Sequence, residues 1–270
     1  MANQTYLITG GTGSLGQQIT RTLLKEYEPK SIRVLSRNEY FQVTMKREFN
    51  DDRLRFFIGD VRDYDRLARA FDGVDYVIHT AALKHVGVCE YNPVEAIRTN
   101  VDGAINIIDA CLDLGVEKCL AVSSDKAVNP INIYGASKFC AERLFINGNV
   151  YDGTKFSVVR FGNMVGSNGS IVELAKQGEI KITDPRMTRY WIEIEDAARF
   201  TIATLGRMNG GEIFVPDMRC ESVTQFVKEI NGQDKFEVIG RGECEKLSEE
   251  LFSEYESTRM VDKDGYKVIC

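Results

Sequence analysis

Residues 6–16 read YLITGGTGSLG, and this stretch decides the fold. An apolar run from Tyr6 to Thr9 is followed at once by glycines at positions 10, 13 and 16, and a helical pattern then continues to Glu26. Glycine permits a tight turn, a close backbone approach to a pyrophosphate, and contact between helix and strand. The order strand, loop, helix therefore predicts a dinucleotide site formed by Gly10, Thr12, Gly13, Ser14, Leu15 and Gly16.

The same alternation continues along the first half of the chain. Short apolar runs at 32–35, 54–58, 76–80, 118–123 and 156–160 alternate with helical patterns at 40–49, 64–71, 93–114 and 134–147. This alternation predicts an α/β fold with a doubly wound parallel sheet, the NAD(P)-binding Rossmann fold. We place a nucleotide-binding domain at residues 1–165 and a smaller C-terminal substrate lobe, packed on it, at 166–270, with an approximate boundary across which strands can interleave.

Composition narrows the functional classes. The chain of 270 residues has 34 basic and 40 acidic side chains, a net charge of −6, which argues against nucleic acid as a partner. No run approaches the roughly 20 apolar residues of a membrane span. The seven cysteines include no C-x2-C pair and the two histidines no H-E-x-x-H frame, so we expect no metal. We expect a cytoplasmic protein with reduced thiols.

The ends of the next strands predict the rest of the nucleotide site. Ser36 and Arg37 stand where NAD-selective sites carry a carboxylate. A guanidinium and a hydroxyl can hold a 2′-phosphate, so the expected cofactor is NADP. Asp60 and Val61 are placed to meet the adenine, and the small residues Ala81 and Ala82 to face the ribose and pyrophosphate; all four follow strands.

Candidate catalytic groups follow the fifth strand. Ser124, Asp125 and Lys126 end that strand, and Tyr134 and Lys138 form a Y-x-x-x-K pattern in the next helix. A spacing of four residues puts the phenol and the ammonium on one helical face. We expect the charge of Lys138 to lower the pKa of Tyr134, so that the tyrosinate acts as a base.

At these residues the chain resembles the extended short-chain dehydrogenase/reductase family. Within it, several stretches resemble the polysaccharide-biosynthesis branch, and chiefly its inverting UDP-N-acetylglucosamine 4,6-dehydratases. The stretches that carry this likeness are Ala81–Val86, Glu90–Pro93, Thr99–Gly103, Ser124–Ala127 and Asp184–Trp191.

The resemblance implies a role for each candidate residue. Tyr134 would accept the C4 hydroxyl proton, Ser124 would polarise that oxygen, and Lys126 and Asp125 would be the base at C5 and the acid at C6. The implied contacts to a UDP-sugar substrate come from Lys84, Asn163, Thr188, Arg189, Arg241 and Glu245, and Lys84 also lies near the nicotinamide ribose. Members of the family usually form homo-oligomers, which we expect here as well.

The chain departs from the family pattern in two places. The family turn Gly-Ser-Arg-Gly reads GSNG at residues 166–169, and the segment that follows, to Ile180, is shorter. The family run Arg-Pro-Gly-Glu-Lys-Leu reads RGECEKL at residues 241–247, which displaces the arginine. Two other functions stay open. A nucleotide-sugar 4-epimerase would share Ser124, Tyr134 and Lys138 without using Asp125 and Lys126, and a non-catalytic NADP-binding protein would need none of them.

Overall fold

The strands confirm the predicted α/β fold. The computed structural model describes residues 1–167, 181–232 and 236–270. Its strands are β1 (Thr5–Thr9), β2 (Ser31–Ser36), β3 (Leu54–Ile58), β4 (Tyr76–His79), β5 (Lys118–Ser124), β6 (Lys155–Phe161), β7 (Asn163–Val165), β8 (Lys181–Ile182), β9 (Thr188–Glu193), β10 (Ile213–Pro216), β11 (Arg219–Ser222), β12 (Glu237–Val238), β13 (Met260–Lys263) and β14 (Tyr266–Ile269).

The main sheet has the strand order of a dinucleotide-binding fold. Across the described residues its nine strands run β13-β14-β10-β6-β5-β4-β1-β2-β3. Seven adjacent strands of this sheet are mutually parallel, namely β10, β6, β5, β4, β1, β2 and β3. At the other edge, β14 is antiparallel to β10, and β13 is antiparallel to β14. The order reverses between β1 and β4, which is where such sheets bind ligands beyond the carboxyl ends of their strands.

Helices cover both faces of this sheet. Successive side chains of a strand point to opposite faces, and the apolar side chains on both faces are buried. On β1, Leu7 packs in one apolar layer, and Tyr6 and Ile8 in the other. The helices are α1 (Ser14–Glu26), α2 (Glu39–Phe49), α3 (Tyr64–Phe71), α4 (Val86–Tyr91), α5 (Pro93–Ile97), α6 (Gly103–Asp113), α7 (Ile133–Asn147), α8 (Ile194–Arg207), α9 (Val223–Asn231) and α10 (Glu254–Ser257).

The predicted single helix over 93–114 is interrupted. A π-helical turn at Arg98–Asp102 separates α5 from α6. Within that turn the buried amide of Asn100 bonds both to Leu83, after β4, and to Ser137 on α7. Single π turns are frequent at functional sites, and this one turns a polar side chain towards the ends of the strands.

The C-terminal part of the chain divides between two places. β10, β13 and β14 extend the main sheet. A separate apolar cluster forms around Trp191 of β9, whose ring stacks on Phe226 of α9 with centroids 3.7 Å apart. The two predicted parts, 1–165 and 166–270, therefore share one sheet, with a small lobe beside it.

Candidate active site

The glycine loop packs directly on the end of β4. Gly10 adopts a left-handed φ of 64°, and a Cβ atom there would lie 2.8 Å from the Ala81 backbone. Gly13 precedes α1 and has no side chain to cap it, and no acidic group lies in the first turn of this helix. The positive end of the helix dipole is therefore open to an anion.

The ends of β2 and β3 form a basic edge. Arg37 is largely exposed, and its Nη1 lies 3.9 Å from Asp60 Oδ2. Arg62 binds the same carboxylate at 2.7 Å. Burial opposes the ionisation of Asp60, but the hydrogen bonds of Arg62 and the charges of Arg62 and Arg37 outweigh it and lower the pKa of Asp60. Ser36 is buried, and its Oγ accepts a hydrogen bond from Gln42.

The predicted acid and base form one buried pair. β5 ends at Ser124, and a 3₁₀ turn, Asp125–Ala127, follows it. Asp125 is fully buried, and its Oδ1 accepts hydrogen bonds from Ser124 Oγ at 2.9 Å and from Lys126 Nζ at 3.0 Å. Lys126 Nζ also donates to Asn163 Oδ1 at 3.3 Å. The structure thus brings four predicted site residues together at the ends of β5 and β6.

Tyr134 and Lys138 lie in the first part of α7, as predicted. Burial raises the pKa of Tyr134, a hydrogen bond with Ser124 opposes this rise, and the charge of Asp125 adds to it. Lys138 Nζ donates to Val122 O at 2.5 Å, and burial lowers the pKa of Lys138 to about 8. The net shift of the phenol pKa is therefore upward, opposite to the expected lowering, because burial dominates.

Sequence reasoning missed three residues of this region. At Gly135, a Cβ atom would lie 2.2 Å from Lys126 O, so α7 can approach the 3₁₀ turn only with glycine there. Asn100 joins the loop after β4 to α7. Glu249 Oε1 lies 3.7 Å from Lys126 Nζ. Asn100 lies in one of the stretches that carry the family resemblance, whereas Glu249 gave no local signal.

The predicted substrate residues are held in different ways. Arg189 is buried, and its guanidinium donates to the backbone carbonyls of Thr188, Lys246 and Leu247. These contacts do not support a diphosphate ligand role for Arg189, because the carbonyls already occupy Nη1 and Nη2. The Thr188 hydroxyl likewise bonds to Ser248.

Other predicted contacts lie on loops. Hydrogen bonds from Arg186 lower the pKa of Asp184, and the charge of exposed Arg241 adds a smaller lowering. Glu245 accepts a hydrogen bond from the backbone of Gly242. Lys84 is exposed after β4, and Ala81 and Ala82 beside it are half-buried. The departures from the family pattern at residues 168–180 lie outside the described residues.

Two further kinds of site, for metal ions and for membranes, can be judged from the described residues. No group of three His, Cys, Asp or Glu side chains in ranges 1–167, 181–232 and 236–270 is arranged to hold a metal ion. Over those same ranges, no helix has the length and apolarity required to cross a membrane.

The fold and the site together define a class of protein. A parallel sheet in this order, a glycine loop before α1, and Ser124, Tyr134 and Lys138 at the ends of the strands are the features of a short-chain dehydrogenase/reductase. Within that class, the sequence profile described as polysaccharide biosynthesis protein matches residues 6–270, and the chain belongs to this family.

Three similar proteins were compared with this chain. The inverting UDP-N-acetylglucosamine 4,6-dehydratase of Campylobacter jejuni strain 81-176 is 47% identical over 272 aligned positions, covering 97% of this chain and 81% of that protein. A UDP-glucose 4-epimerase of Rickettsia bellii RML369-C is 37% identical, covering 98% and 82%. The X-ray structure of Pen from Bacillus thuringiensis superimposes with a TM-score of 0.95 at 38% identity, covering 99% and 89%.

Proposed function

We propose that this protein is an NADP-dependent, inverting UDP-N-acetylglucosamine 4,6-dehydratase. The observation that carries the proposal is the hydrogen-bonded pair of Asp125 and Lys126 next to Tyr134. A dehydratase needs an acid and a base beyond the tyrosine, because it must remove a proton from C5 and a hydroxyl from C6. The relative from C. jejuni, at 47% identity, carries the same activity in its name.

The first step of the reaction falls to the residues around Ser124. Bound NADP would supply the hydride acceptor and later the hydride donor. Tyr134 takes the proton of the C4 hydroxyl, and Ser124, which bonds to the phenol, polarises the same oxygen. The buried ammonium of Lys138 favours the tyrosinate by its positive charge. The product of this step is a sugar with a ketone at C4.

The ketone acidifies the C5 hydrogen, and the Asp125 and Lys126 pair then acts on both carbons. Neutral Lys126 takes the C5 proton, and protonated Asp125 donates its proton to the leaving C6 hydroxyl, which departs as water. This protonation state differs from the ion pair only by a proton shift along the 3.0 Å hydrogen bond between Nζ and Oδ1. After hydride reaches C6, C5 regains a proton with inverted configuration, and the balance is the loss of one water.

The preference for NADP is proposed from the edge beyond β2. Arg37 is 57% exposed in its side chain and its ion pair with Asp60 is long, at 3.9 Å, so its guanidinium can turn to a 2′-phosphate. Arg62 already neutralises Asp60. The loop before α1, with Gly10 against Ala81 and an uncapped helix end, fits the pyrophosphate.

We also propose that the enzyme is a cytoplasmic homo-oligomer. The described cysteines, all seven of them, are free thiols, as in a reducing compartment. Apolar side chains on α4, α5 and α6 are exposed, and a second copy of the chain can cover them; they are Val88, Tyr91, Val94, Ile97 and Ile105. Sedimentation equilibrium of the purified protein would show a mass above 30.4 kDa, whereas a monomer at micromolar concentration would contradict it.

Incubation with UDP-N-acetylglucosamine and catalytic NADP in deuterated water tests the proposed reaction. Mass spectrometry should show the loss of one water, and proton NMR should show a 4-keto-6-deoxy sugar with deuterium at C5 and inverted C5 configuration. Retained C5 configuration would leave dehydration intact but contradict the inverting assignment.

A 4-epimerase is the second candidate, since the R. bellii relative at 37% identity is named as one. The epimerase needs Ser124, Tyr134 and Lys138 but gives no work to the buried pair of Asp125 and Lys126. In the same incubation it would produce a 4-epimer of unchanged mass without deuterium at C5.

A further inference from the structure

Residues 244–251, here named the C-terminal strap, lie across the turn that carries Asp125 and Lys126. At the start of the strap, Asn132 donates to Cys244 O. In its middle, Lys246 Nζ donates to Val128 O at 2.7 Å, and the Thr188 backbone donates to Leu247 O at 3.0 Å. At its end, Arg160 donates to Leu251 O. The strap is therefore fixed at several points along its length.

The strap carries one buried carboxylate to the reaction centre. Glu249 is 7% exposed. Its Oε1 lies 3.7 Å from Lys126 Nζ and its Oε2 lies 3.6 Å from Lys246 Nζ. Among the described residues Oε2 has no hydrogen-bond partner. Burying a carboxylate is costly unless it is paired, so its position between two lysines needs a reason.

We propose that Glu249 is a positioning residue that holds Lys126 in place for the C5 proton step. The inference rests on the proposed dehydratase function. An ammonium has three donors on a long, flexible stem, and within the described part of the chain the oxygens facing Lys126 Nζ come from Asp125, Asn163 and Glu249. Each comes from a different element: the 3₁₀ turn, β7 and the strap.

Asp125 alone cannot perform this task during turnover. In the state that is ready to react, Asp125 is a neutral acid and Lys126 a neutral amine, so the charge attraction between them is lost. Glu249 takes no part in the proton transfers, so it keeps its negative charge and faces the N–H donors of Lys126 before and after the proton moves. Lys246 balances that charge from within the strap. The cluster alternates in sign as Asp125, Lys126, Glu249, Lys246.

The C4 oxidation step uses Ser124 and Tyr134 and none of these four charged side chains. Loss of the Glu249 charge should therefore slow the elimination and spare the oxidation. A misplacement of about 1 Å at a reacting group can cost about 100-fold in rate. We expect this effect on kcat, with KM for UDP-N-acetylglucosamine unchanged.

The test compares Glu249→Gln with Glu250→Gln in the full-length protein. Glu250 is the matched control because it is the next residue of the strap, is exposed, and bonds to Asn129 rather than to Lys126. For Glu249→Gln we expect kcat to fall about 100-fold and reduced nicotinamide to accumulate, seen by its near-ultraviolet absorbance. Glu249→Asp, which keeps the charge, should recover part of kcat. Glu250→Gln should behave as wild type.

The possible outcomes distinguish a failure of the proposed role of Glu249 from a failure of the proposed function. Wild-type kcat in Glu249→Gln overturns the positioning role while leaving the dehydratase intact. A fall in kcat accompanied by equal losses of cofactor binding and of thermal stability would show a merely structural role and would also overturn it. If the wild-type protein does not dehydrate UDP-N-acetylglucosamine, the proposed function is wrong and the role of Glu249 falls with it.

Discussion

Two buried ionic clusters in this protein contain the same kinds of side chain but differ in how completely their polar atoms are hydrogen-bonded. In the first, buried Arg160 of β6 binds Glu142 of α7 at 2.7 Å and Glu256 of α10 at 2.9 Å. Its Nη1 also donates to a carbonyl, so each guanidinium nitrogen has a partner. In the second, around Lys126, Asp125 Oδ2 and Glu249 Oε2 have no hydrogen-bond partner within the described residues.

This difference in hydrogen bonding distinguishes buried charges that stabilise the fold from buried charges that take part in the reaction. A fully bonded cluster fixes elements in place, and removing one member leaves uncompensated charge. A cluster with unpartnered acceptors keeps capacity for a substrate hydroxyl and for proton movement. The two are connected, because Arg160 anchors Leu251 at the end of the strap that carries Glu249.

Lys126→Met should give the largest effect and confine it to activity. Loss of a general base costs about 10²- to 10⁴-fold in rate, and we expect this loss in dehydration with cofactor binding retained. The measurement is product formation by mass spectrometry beside nucleotide titration. Lys181→Met, which removes only an exposed ion pair with Glu237, is the control. Undiminished dehydration would refute the assignment of Lys126 as the base.

Arg160→Met should do the reverse, lowering stability before chemistry. Glu142 and Glu256 would be left buried without their cation, which costs about 3–5 kcal/mol. Urea unfolding measures the loss in the free energy of unfolding. Arg21→Met breaks an ion pair with Glu48 in which both side chains are about half exposed, and should cost less than about 1 kcal/mol. Equal losses in the two variants would contradict the distinction between closed and exposed charges.

Arg37→Asp tests the nucleotide edge, which lies outside both clusters. A carboxylate there would repel a 2′-phosphate and accept the ribose hydroxyl of NAD. A hydrogen bond to a charged group is worth about 1.5–3 kcal/mol, so the ratio of NADP to NAD affinity should fall at least about tenfold. Arg47→Asp, on α2, is the control. An unchanged ratio would remove Arg37 from the cofactor site.

The smallest expected effect is a shift in pH dependence. It tests whether Glu142, a member of the fully bonded Arg160 cluster, also acts on the active site. Burial lowers the pKa of Lys138 to about 8, and Glu142 opposes this lowering. The ammonium must stay charged to favour the tyrosinate, so kcat/KM should fall above about pH 8. Glu142→Gln should move that fall to lower pH by less than about one unit. If the fall of kcat/KM occurs at the same pH in Glu142→Gln as in the wild type, Glu142 does not act on Lys138.

The fold could be predicted because its signals are local. The run from Tyr6 to Gly16 specifies strand, turn and helix within eleven residues, and this prediction is confirmed by β1 and α1. Tyr134 and Lys138 could be paired for the same reason, since they are one helical turn apart. Ser124, Asp125 and Lys126 were found because the end of a strand placed them together.

The missed features depend on contacts between distant parts of the chain. Glu249 meets Lys126 across more than one hundred residues, through a strap without periodic pattern. The family resemblance implied that Arg189 contacts the substrate, but its guanidinium donates to backbone carbonyls of that strap, which no sequence pattern displays. The sequence predicted a lowered pKa for Tyr134, whereas burial raises it. Burial depends on packing from several elements, which the local sequence does not display.

Single-turnover reaction of UDP-N-acetylglucosamine labelled with deuterium at C4 tests directly whether this protein is a dehydratase rather than an epimerase. The hydride removed from C4 is returned to C6 only if water has left between them. We predict a product that has lost one water and carries the deuterium at C6. Deuterium found again at C4, in a 4-epimer of unchanged mass apart from the label, would contradict it.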